Sequence, residues 1–496
     1  MTPASPLSVR RKARGLIRLP PTTGRRAELT CIEAVDSSTH RVSASFLVRT
    51  RFSRDETGQA ARLADQFIAQ NRGLLANLGV TIEPQYDGAS VALVIKTGTR
   101  IGAIPLLSPT TRKPDYGLVI RPRFDWPGIG PILGATGWRV VPKPLRLPLL
   151  PRSERRVPPW VLSTIILSRV KAMLERLERR FELTEDERRA PRGSVDWGAY
   201  ACRQMPRAQF LNVPCRFPDL RDDRDLKAAI RYALEKQLRG LEGQRSAGMF
   251  VVGLIELCQG LLQRVRDVAA HEPTPSAIQA WARGSLRTEI FRNGLQAVEW
   301  TVQDRGLAGL SDLQGLAWAM SMEAFFEAWA ETILARLARK IGGVLRTGRQ
   351  RQTIAPLNWN PPYLGSQKYL LPDLFLENGD TTIIVDAKYK QHWEEMQMSG
   401  WQELEEAIRE RHRADLLQVL AYSNLATTPR IVVCLAYPCL RQTWDSLRAR
   451  RRLFHRASLR AGSRRVDLLL TAFPLAAEVL EDAAEELRNA LDASSD

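Results

Sequence analysis

LLPDLFLENGDTTIIVDAKYK, residues 370–390, sets Asp373 directly after a proline and places Asp386 and Lys388 inside an apolar run. Two apolar segments, DLFLE and TTIIVDA, flank the turn residues ENGD, an arrangement that predicts a β-hairpin. Asp386 and Lys388 are two residues apart, so on a strand both side chains leave the same face. Pairing of DLFLE with TIIVD brings Asp373 to the same end of the hairpin. Two neighbouring carboxylates at a strand end repel unless a cation sits between them, and a divalent ion held by carboxylate oxygens relieves that repulsion. Lys388 then orients an attacking water or balances charge developing on a phosphate. The plainer alternative is an ordinary ion pair at a sheet edge, with Asp373 a turn residue after Pro372. The complete pattern favours chemistry: Pro-Asp, twelve residues, then Asp-x-Lys, with each polar group interrupting an apolar stretch.

Outward from the hairpin the order of elements predicts an α/β domain with a mixed sheet over residues 310–496. A long helix is expected in LAWAMSMEAFFEAWAETILARLARKIG and a second around RADLLQVLAYSNL, with strands in RIVVCLAYP and VDLLLTAFP and a final helix in LAAEVLEDAAEELRNAL. Upstream, residues 151–309 read as a mainly helical region. WVLSTIILSRVKAMLERLERRFEL, DLKAAIRYALEKQLRGL and FVVGLIELCQGLLQRVRDVAA all carry apolar residues at helical spacing. Residues 28–150 read as a small mixed α/β domain, with strands in RVSASFLVRT, SVALVIKTG, RIGAIPLLS and YGLVIRPRF and a helix around ARLADQFIAQNRGLLANLG. LRLPLLPRSERRVPP, 145–159, reads as an extended linker, and residues 1–27 as a basic flexible arm. The fold class expected is therefore multidomain α+β.

The 496 residues are 44% apolar and 25% charged, a globular composition with room for several cores. A formal net charge of +18 attracts polyanions, and nucleic acid is the default candidate. Six scattered cysteines form no CxxC pair and the five histidines are equally dispersed, which excludes the usual structural zinc patterns. The first residues carry basic groups without an apolar segment before a cleavage site, and the longest apolar runs are too short to span a bilayer. A cytoplasmic protein without a membrane partner is expected.

Two helices supply further candidates. Glu327, in MEAFFEAWAE, sits among apolar and aromatic residues where a carboxylate needs a partner; Glu323 and Glu331 lie four residues to either side, so a solvated stripe of all three is the alternative. Gln418 interrupts the apolar stretch of RADLLQVLAY, where it either caps backbone groups or holds a water or a neighbouring ligand. Tyr389, Lys390 and Tyr422 are possible substrate contacts, with packing the plainer reading of each.

The hairpin resembles the core of PD-(D/E)xK nucleases. More narrowly, SMEAFFEAWAETIL, PDLFL, IIVDAKYK and RADLLQVLAY resemble the four signatures of the McrC family, the nuclease subunits of McrBC modification-dependent restriction systems. RIGAIPLLSPTTRKPDYGLVIRPRF, APRGSVDWGAY and DLKAAIRYAL extend the likeness upstream more weakly. The resemblance implies a restriction-endonuclease-like core over 310–496 and a partner-docking role for 28–150. It maps the helix glutamate, which follows an aromatic pair, onto Glu327 after Phe325 and Phe326. It maps the paired acids onto Asp373 and Asp386, the lysine onto Lys388 and the helix glutamine onto Gln418. It further implies Mg²⁺ on Asp373 and Asp386 with Glu327 as a further ligand, DNA as substrate, and a ring-forming AAA+ partner of the McrB kind that uses GTP or ATP. The chain itself contains no GxxxxGK[ST] phosphate loop.

The activity expected is metal-dependent endonucleolytic hydrolysis of DNA in a restriction or antiviral defence system. Residues 441–465 hold nine arginines with Trp444 and Phe454 interspersed. Arg448, Arg450, Arg451, Arg452, Arg456 and Arg460 are the candidate contacts to the DNA backbone, with a solvated face the competing reading. Alternatives are a stand-alone nuclease acting on DNA or RNA, and a non-catalytic nucleic-acid-binding assembly subunit.

Overall fold

The computed structural model describes residues 30–48, 56–88, 90–124, 126–145, 147, 160–177, 180–221, 223–283, 288–304, 306–307, 315–363, 365–390, 393, 406–461 and 464–492. The arm 1–27 and most of the linker 145–159 lie outside the described residues. The chain divides into two compact units: residues 1–161 together with 306–496, and residues 162–305.

The first part of the larger unit contains β1 (Thr30–Val35), β2 (Thr39–Ser43), α1 (Glu56–Ala76), β3 (Thr81–Asp87), β4 (Ser90–Lys96), β5 (Arg100–Leu106), β6 (Tyr116–Arg121), α2 (Trp126–Ala135) and β7 (Lys143–Pro144). Strands β2, β4 and β3 form an antiparallel sheet, and β1 runs parallel to β6 in a second one. The strand expected through RVSASFLVRT stops at Ser43, whose hydroxyl accepts from the Ser45 N–H and turns the chain into a single 3₁₀ turn, Ala44–Leu47. That side-chain cap competes with the ladder for the backbone donor.

The smaller unit receives α3 (Trp160–Glu175) and contains β8 (Arg180–Arg188), β9 (Ser194–Val195), β10 (Val213–Arg221), α4 (Arg224–Glu242), α5 (Met249–Arg264), α6 (Pro275–Arg283) and α7 (Glu289–Val302). Its helices match the apolar periodicity, but the helix expected to run on through ERRFEL ends at Glu175. The segment from Arg180 instead pairs antiparallel with β10 along nine residues. β10 buries Cys215 and Phe217 at the two-residue period of a strand, and it needs an antiparallel neighbour for its backbone groups.

The larger unit resumes with β11 (Trp318–Ser321), α8 (Met322–Ile341), β12 (Val344–Thr347), β13 (Leu374–Asn378), β14 (Thr381–Ala387), α9 (Glu406–Ser423), β15 (Arg430–Cys439), α10 (Arg441–Ala449), β16 (Phe454–Ala461), β17 (Arg464–Pro474) and α11 (Leu480–Asp492). The six-stranded sheet has the order β12-β13-β14-β15-β17-β16. β14, β15 and β17 are parallel and the outer pairings antiparallel, which makes the mixed sheet expected. The hairpin forms as read, with Leu374 opposite Val385 and Gly379 supplying the positive φ of its tight turn. Both α8 and α9 pack on this sheet, and Trp329 of α8 donates its indole N–H to the carbonyl of Pro474 at 2.8 Å.

LAWAM is not the start of the long helix. Trp318–Ser321 is a strand inserted between β5 and β7, and α8 begins only after Ser321, whose hydroxyl accepts from the Ala324 N–H at 3.2 Å. Gly102 of β5 permits this insertion, since a Cβ there would fall 2.1 Å from the carbonyl oxygen of Trp318. The early sheet and the later α/β layer thus share a strand directly continuous with α8. Among the described residues no helix is long and apolar enough to cross a membrane.

A second tie joins the ends of β1 and β6 to the chain just beyond β14. Asp36 is buried, and its Oδ1 accepts from the Arg123 backbone N–H at 2.6 Å. The Arg123 guanidinium lies 3.6 Å from Asp36 Oδ2, stacks over the Tyr389 ring at 4.2 Å and donates to the Tyr389 carbonyl at 2.9 Å. Arg123→Ala leaves a buried carboxylate without its counter-charge, a change that costs about 3–5 kcal/mol. The expected result is a lower denaturant midpoint with an unchanged slope, measured by urea unfolding of the full chain.

Candidate active site

The hairpin and the close of β14 bring the sequence-selected groups together. Pro372 and Asp373 lie just before β13, and the Asp373 carbonyl accepts from the Gly348 N–H at 2.7 Å. A Cβ on Gly348 would fall 2.6 Å from the Pro372 carbonyl oxygen, so glycine permits this approach. Asp373 Oδ2 accepts from the Ala387 N–H at 2.8 Å, which pins the first acid across the end of β14. Asp386, within β14, is 2% exposed, and its charge acts on the neighbouring Asp373 carboxyl. Two buried carboxyl groups that act on each other in this way favour a proton or a cation between them.

Lys388 supplies one positive charge. Its Nζ lies 2.9 Å from Asp386 Oδ2 and donates to Gln418 Oε1 at 3.0 Å; the Gln418 amide donates in turn to the Tyr422 hydroxyl at 2.9 Å. The backbone N–H of Lys388 donates to the Ala436 carbonyl on β15, so the lysine extends the ladder before its side chain departs. Glu327 is half-buried on α8 within electrostatic reach of Asp386, Asp373 and Lys388.

Burial raises the carboxyl pKa of Asp373 well above its ordinary range, and the charges of Asp386 and Glu327 raise it further. Burial likewise raises Asp386, against the opposing pull of Lys388. Glu327 is raised by burial, then by Glu323 and Asp386. For Lys388, burial disfavours the ammonium, but Asp386, Asp373 and Asp415 together outweigh it and leave its pKa raised. The site is therefore an acid cluster with more negative charge than its one lysine neutralises.

Asp373 and Asp386 offer hard oxygen ligands, and Mg²⁺ commonly binds through one or two carboxylates with water completing its shell. Among the described residues no three His, Cys, Asp or Glu side chains converge closely enough to cage an ion by themselves. The donor set nevertheless fits a divalent cation: two buried carboxyl groups, one acting on the other, face a single lysine, and an ion would offset the charge that Lys388 leaves.

Other residues take different places. Tyr389 packs beneath Arg123, and Lys390 pairs with the buried Asp415 at 2.6 Å. Asp415 also accepts from the Tyr437 hydroxyl at 3.0 Å. Glu331 does not share a solvated stripe with Glu323 and Glu327: it is buried and accepts from Arg139 at 2.6 Å and from Arg349 through two nitrogens. Asp36 and Arg123 were not legible as neighbours of the site, since each approaches from a distant part of the chain, and Arg349 carried no pattern that tied it to Glu331. Asp415 sits in the same helical motif as Gln418, and its place amid apolar residues was a readable signal.

The arginine-rich stretch forms α10, the following turn and β16, and β15 and β17 separate β16 from β14. Arg448 pairs with Glu486 at 2.8 Å and Asp482 at 3.2 Å, and Arg456 donates to the Ala490 carbonyl. Arg450, Arg451, Arg452 and Arg460 are exposed and form no ion pair among the described residues.

A family model described as McrBC 5-methylcytosine restriction system component matches residues 148–438. No curated protein matches the chain. Among solved structures, the chain is similar at 14% identity to one in a refined half-complex from a tetradecameric assembly of Thermococcus gammatolerans McrB AAA+ hexamers with bound McrC. The TM-score is 0.42, over 93% of this chain and 100% of that one. A chain in a cryo-EM structure of the Thermococcus gammatolerans McrBC complex matches at 14% identity and a TM-score of 0.26, over 62% of this chain and 88% of that one.

Raised carboxyl pKa values make the folded, metal-free chain bind protons more tightly than the unfolded chain. Their contribution to stability is fully present below the unfolded value, about 4 for Asp, and is lost as pH rises through the folded values. In EDTA, Asp373→Asn is expected to reduce the fall in melting temperature between about pH 4 and neutrality relative to the parent. Mg²⁺ at about one hundred times its Kd is expected to add about 2.7 kcal/mol to the parent at neutral pH. Thermal melts across pH, with and without Mg²⁺, measure both effects.

Proposed function

Because the chain belongs to the McrBC 5-methylcytosine restriction system component family, we propose that it is the nuclease subunit of such a system, a Mg²⁺-dependent endodeoxyribonuclease of PD-(D/E)xK type. The observation that carries this reading is the convergence of Asp373, Asp386 and Lys388 at one end of the hairpin, with the ammonium 2.9 Å from Asp386. A purely structural ion pair requires one carboxylate; here a second is held against the first at the expense of mutual repulsion.

Asp373 and Asp386 would hold the metal, with Glu327 completing or orienting its ligands. When bound, Mg²⁺ supplies Lewis-acid stabilisation of phosphoryl oxygens and lowers the pKa of a coordinated water. Lys388, fixed by Asp386 and Gln418, holds the attacking water and offsets charge building on the phosphate. Gln418 acts through Lys388 as a positioning residue, itself oriented by Tyr422. The Ala387 N–H keeps Asp373 in place. Arg450, Arg451, Arg452 and Arg460, with Arg448 and Arg456 beside them, would meet backbone phosphates, a role that suits arginine's fixed fork of donors.

A family named for one component of a system implies another. We extend the proposal to a second subunit, an AAA+ GTPase or ATPase of the McrB kind, which would supply the nucleotide-driven step that this chain has no phosphate loop to perform. The cytoplasm is the compartment in which such a pair would meet DNA.

Cleavage is tested with the purified chain, its AAA+ partner, nucleotide and Mg²⁺ on methylated and unmodified DNA. Asp386→Ala and Lys388→Ala are each expected to lower the cleavage rate by about 10²–10³-fold or more while leaving the fold intact, and EDTA is expected to abolish cutting. Parental rates in either variant would overturn the assignment.

A further inference from the structure

The larger unit contains an open cavity of about 660 Å³. Its walls come from both segments of that unit: α1, β5 and the stretch 139–145 on one side, and β11, the start of α8 and Arg349 on the other. Four cationic side chains line it, Arg100, Arg139, Lys143 and Arg349, over an apolar floor that includes Val140, Val141 and Met320. Nothing in the proposed hydrolysis uses this space.

The four cations divide into two pairs. Arg139 and Arg349 share the buried carboxylate of Glu331, so one acid holds two guanidinium groups in fixed orientation. Arg349 spends Nε and Nη2 on Glu331, which leaves Nη1 uncommitted among the described residues. Arg100 donates to the Asn77 carbonyl at 3.2 Å, and neither it nor Lys143 forms an ion pair among the described residues. Four positive charges against one carboxylate leave the named groups at a net +3, which suits an anion.

The cavity's position specifies which anion. Arg349 follows Gly348, whose N–H is bonded to the Asp373 carbonyl, and its charge reaches Glu327. Ala324, on the wall, is one turn before Glu327 on α8. With Arg349 lining the cavity and acting on Glu327, a strand whose scissile phosphate lies at Asp373 and Asp386 would present a neighbouring phosphate to this rim. The apolar floor beneath the cations suits the sugar and base attached to such a phosphate.

We infer that this cavity binds one nucleotide unit of the DNA strand flanking the scissile bond, its phosphodiester held by the Arg100, Arg139, Lys143 and Arg349 rim. The site rests on the nuclease reading for its substrate but adds a contact surface separate from the exposed arginines of residues 448–460. Its function is to fix the register of the strand, since phosphate contacts position nucleic acid without reading its sequence.

The test uses the full chain and a fluorescein-labelled DNA duplex in Ca²⁺, with affinity followed by anisotropy over a salt titration. The double variant Arg100→Gln, Lys143→Gln removes exposed charges and leaves the Glu331 clamp intact, so far-ultraviolet circular dichroism should match the parent. The expected result is an affinity about ten-fold weaker, with a salt slope reduced by about one to two. Parental affinity and slope in the double variant would overturn the proposal. So would a loss confined to free deoxynucleoside monophosphate, since the cavity would then serve a small molecule and not the strand. If the parent with its partner cuts no DNA in Mg²⁺ while the double variant still loses DNA affinity, the nuclease reading fails and the cavity stands. If the parent cuts and the double variant binds as the parent does, the cavity alone fails.

Discussion

Asp373 and Asp386 are both buried at one end of a hairpin, close enough for the charge of one to act on the other, and much of the surrounding structure answers that crowding. Each acid is desolvated, and the charge of Asp386 adds to the rise at Asp373, so both carboxyl pKa values lie above their ordinary range. Lys388 compensates only Asp386 directly, and Ala387 N–H secures Asp373. Gln418 and Tyr422 then fix the ammonium through a chain of hydrogen bonds. This balance leaves a deficit of positive charge, which suits a cation bound between the acids.

Helix α8 shows how environment separates chemically identical groups. Glu327 and Glu331 are four residues apart and project from one helix face. Glu327 meets the acid cluster and is pushed toward protonation. Glu331 is met by Arg139 and Arg349 and becomes the anchor of a cationic wall. One turn of helix therefore divides a carboxyl facing other acids from one that anchors two guanidinium groups.

The early part of the larger unit is a structural neighbour of this chemistry as well as a sheet of its own. β11 inserts between β5 and β7 and continues directly into α8. Arg123 reaches the backbone of Tyr389, the residue after Lys388. Displacing the early sheet would disturb both the helix that carries Glu327 and the exit of the strand that carries Asp386. A partner docked on that sheet would have a covalently short and tightly packed route to the site.

Local rules were enough for the hairpin, its turn at Gly379, the parallel strands and the trio Asp373, Asp386 and Lys388. Strand periodicity fixes which side chains share a face, and a tight turn fixes which strands pair. Gln418 and Glu327 were also legible, as polar interruptions of apolar helices. The strand Trp318–Ser321 read as helix because its apolar residues satisfy either period; its pairing with β5 and the Ser321 cap decided the matter. β8 read as helix for the same reason, until β10 claimed its backbone donors. Asp36, Arg123, Arg139 and Arg349 carried no signal in isolation. Their roles depend on desolvation and on charges brought together from separations of 18 to 266 residues, and those quantities exist only once the chain has closed on itself.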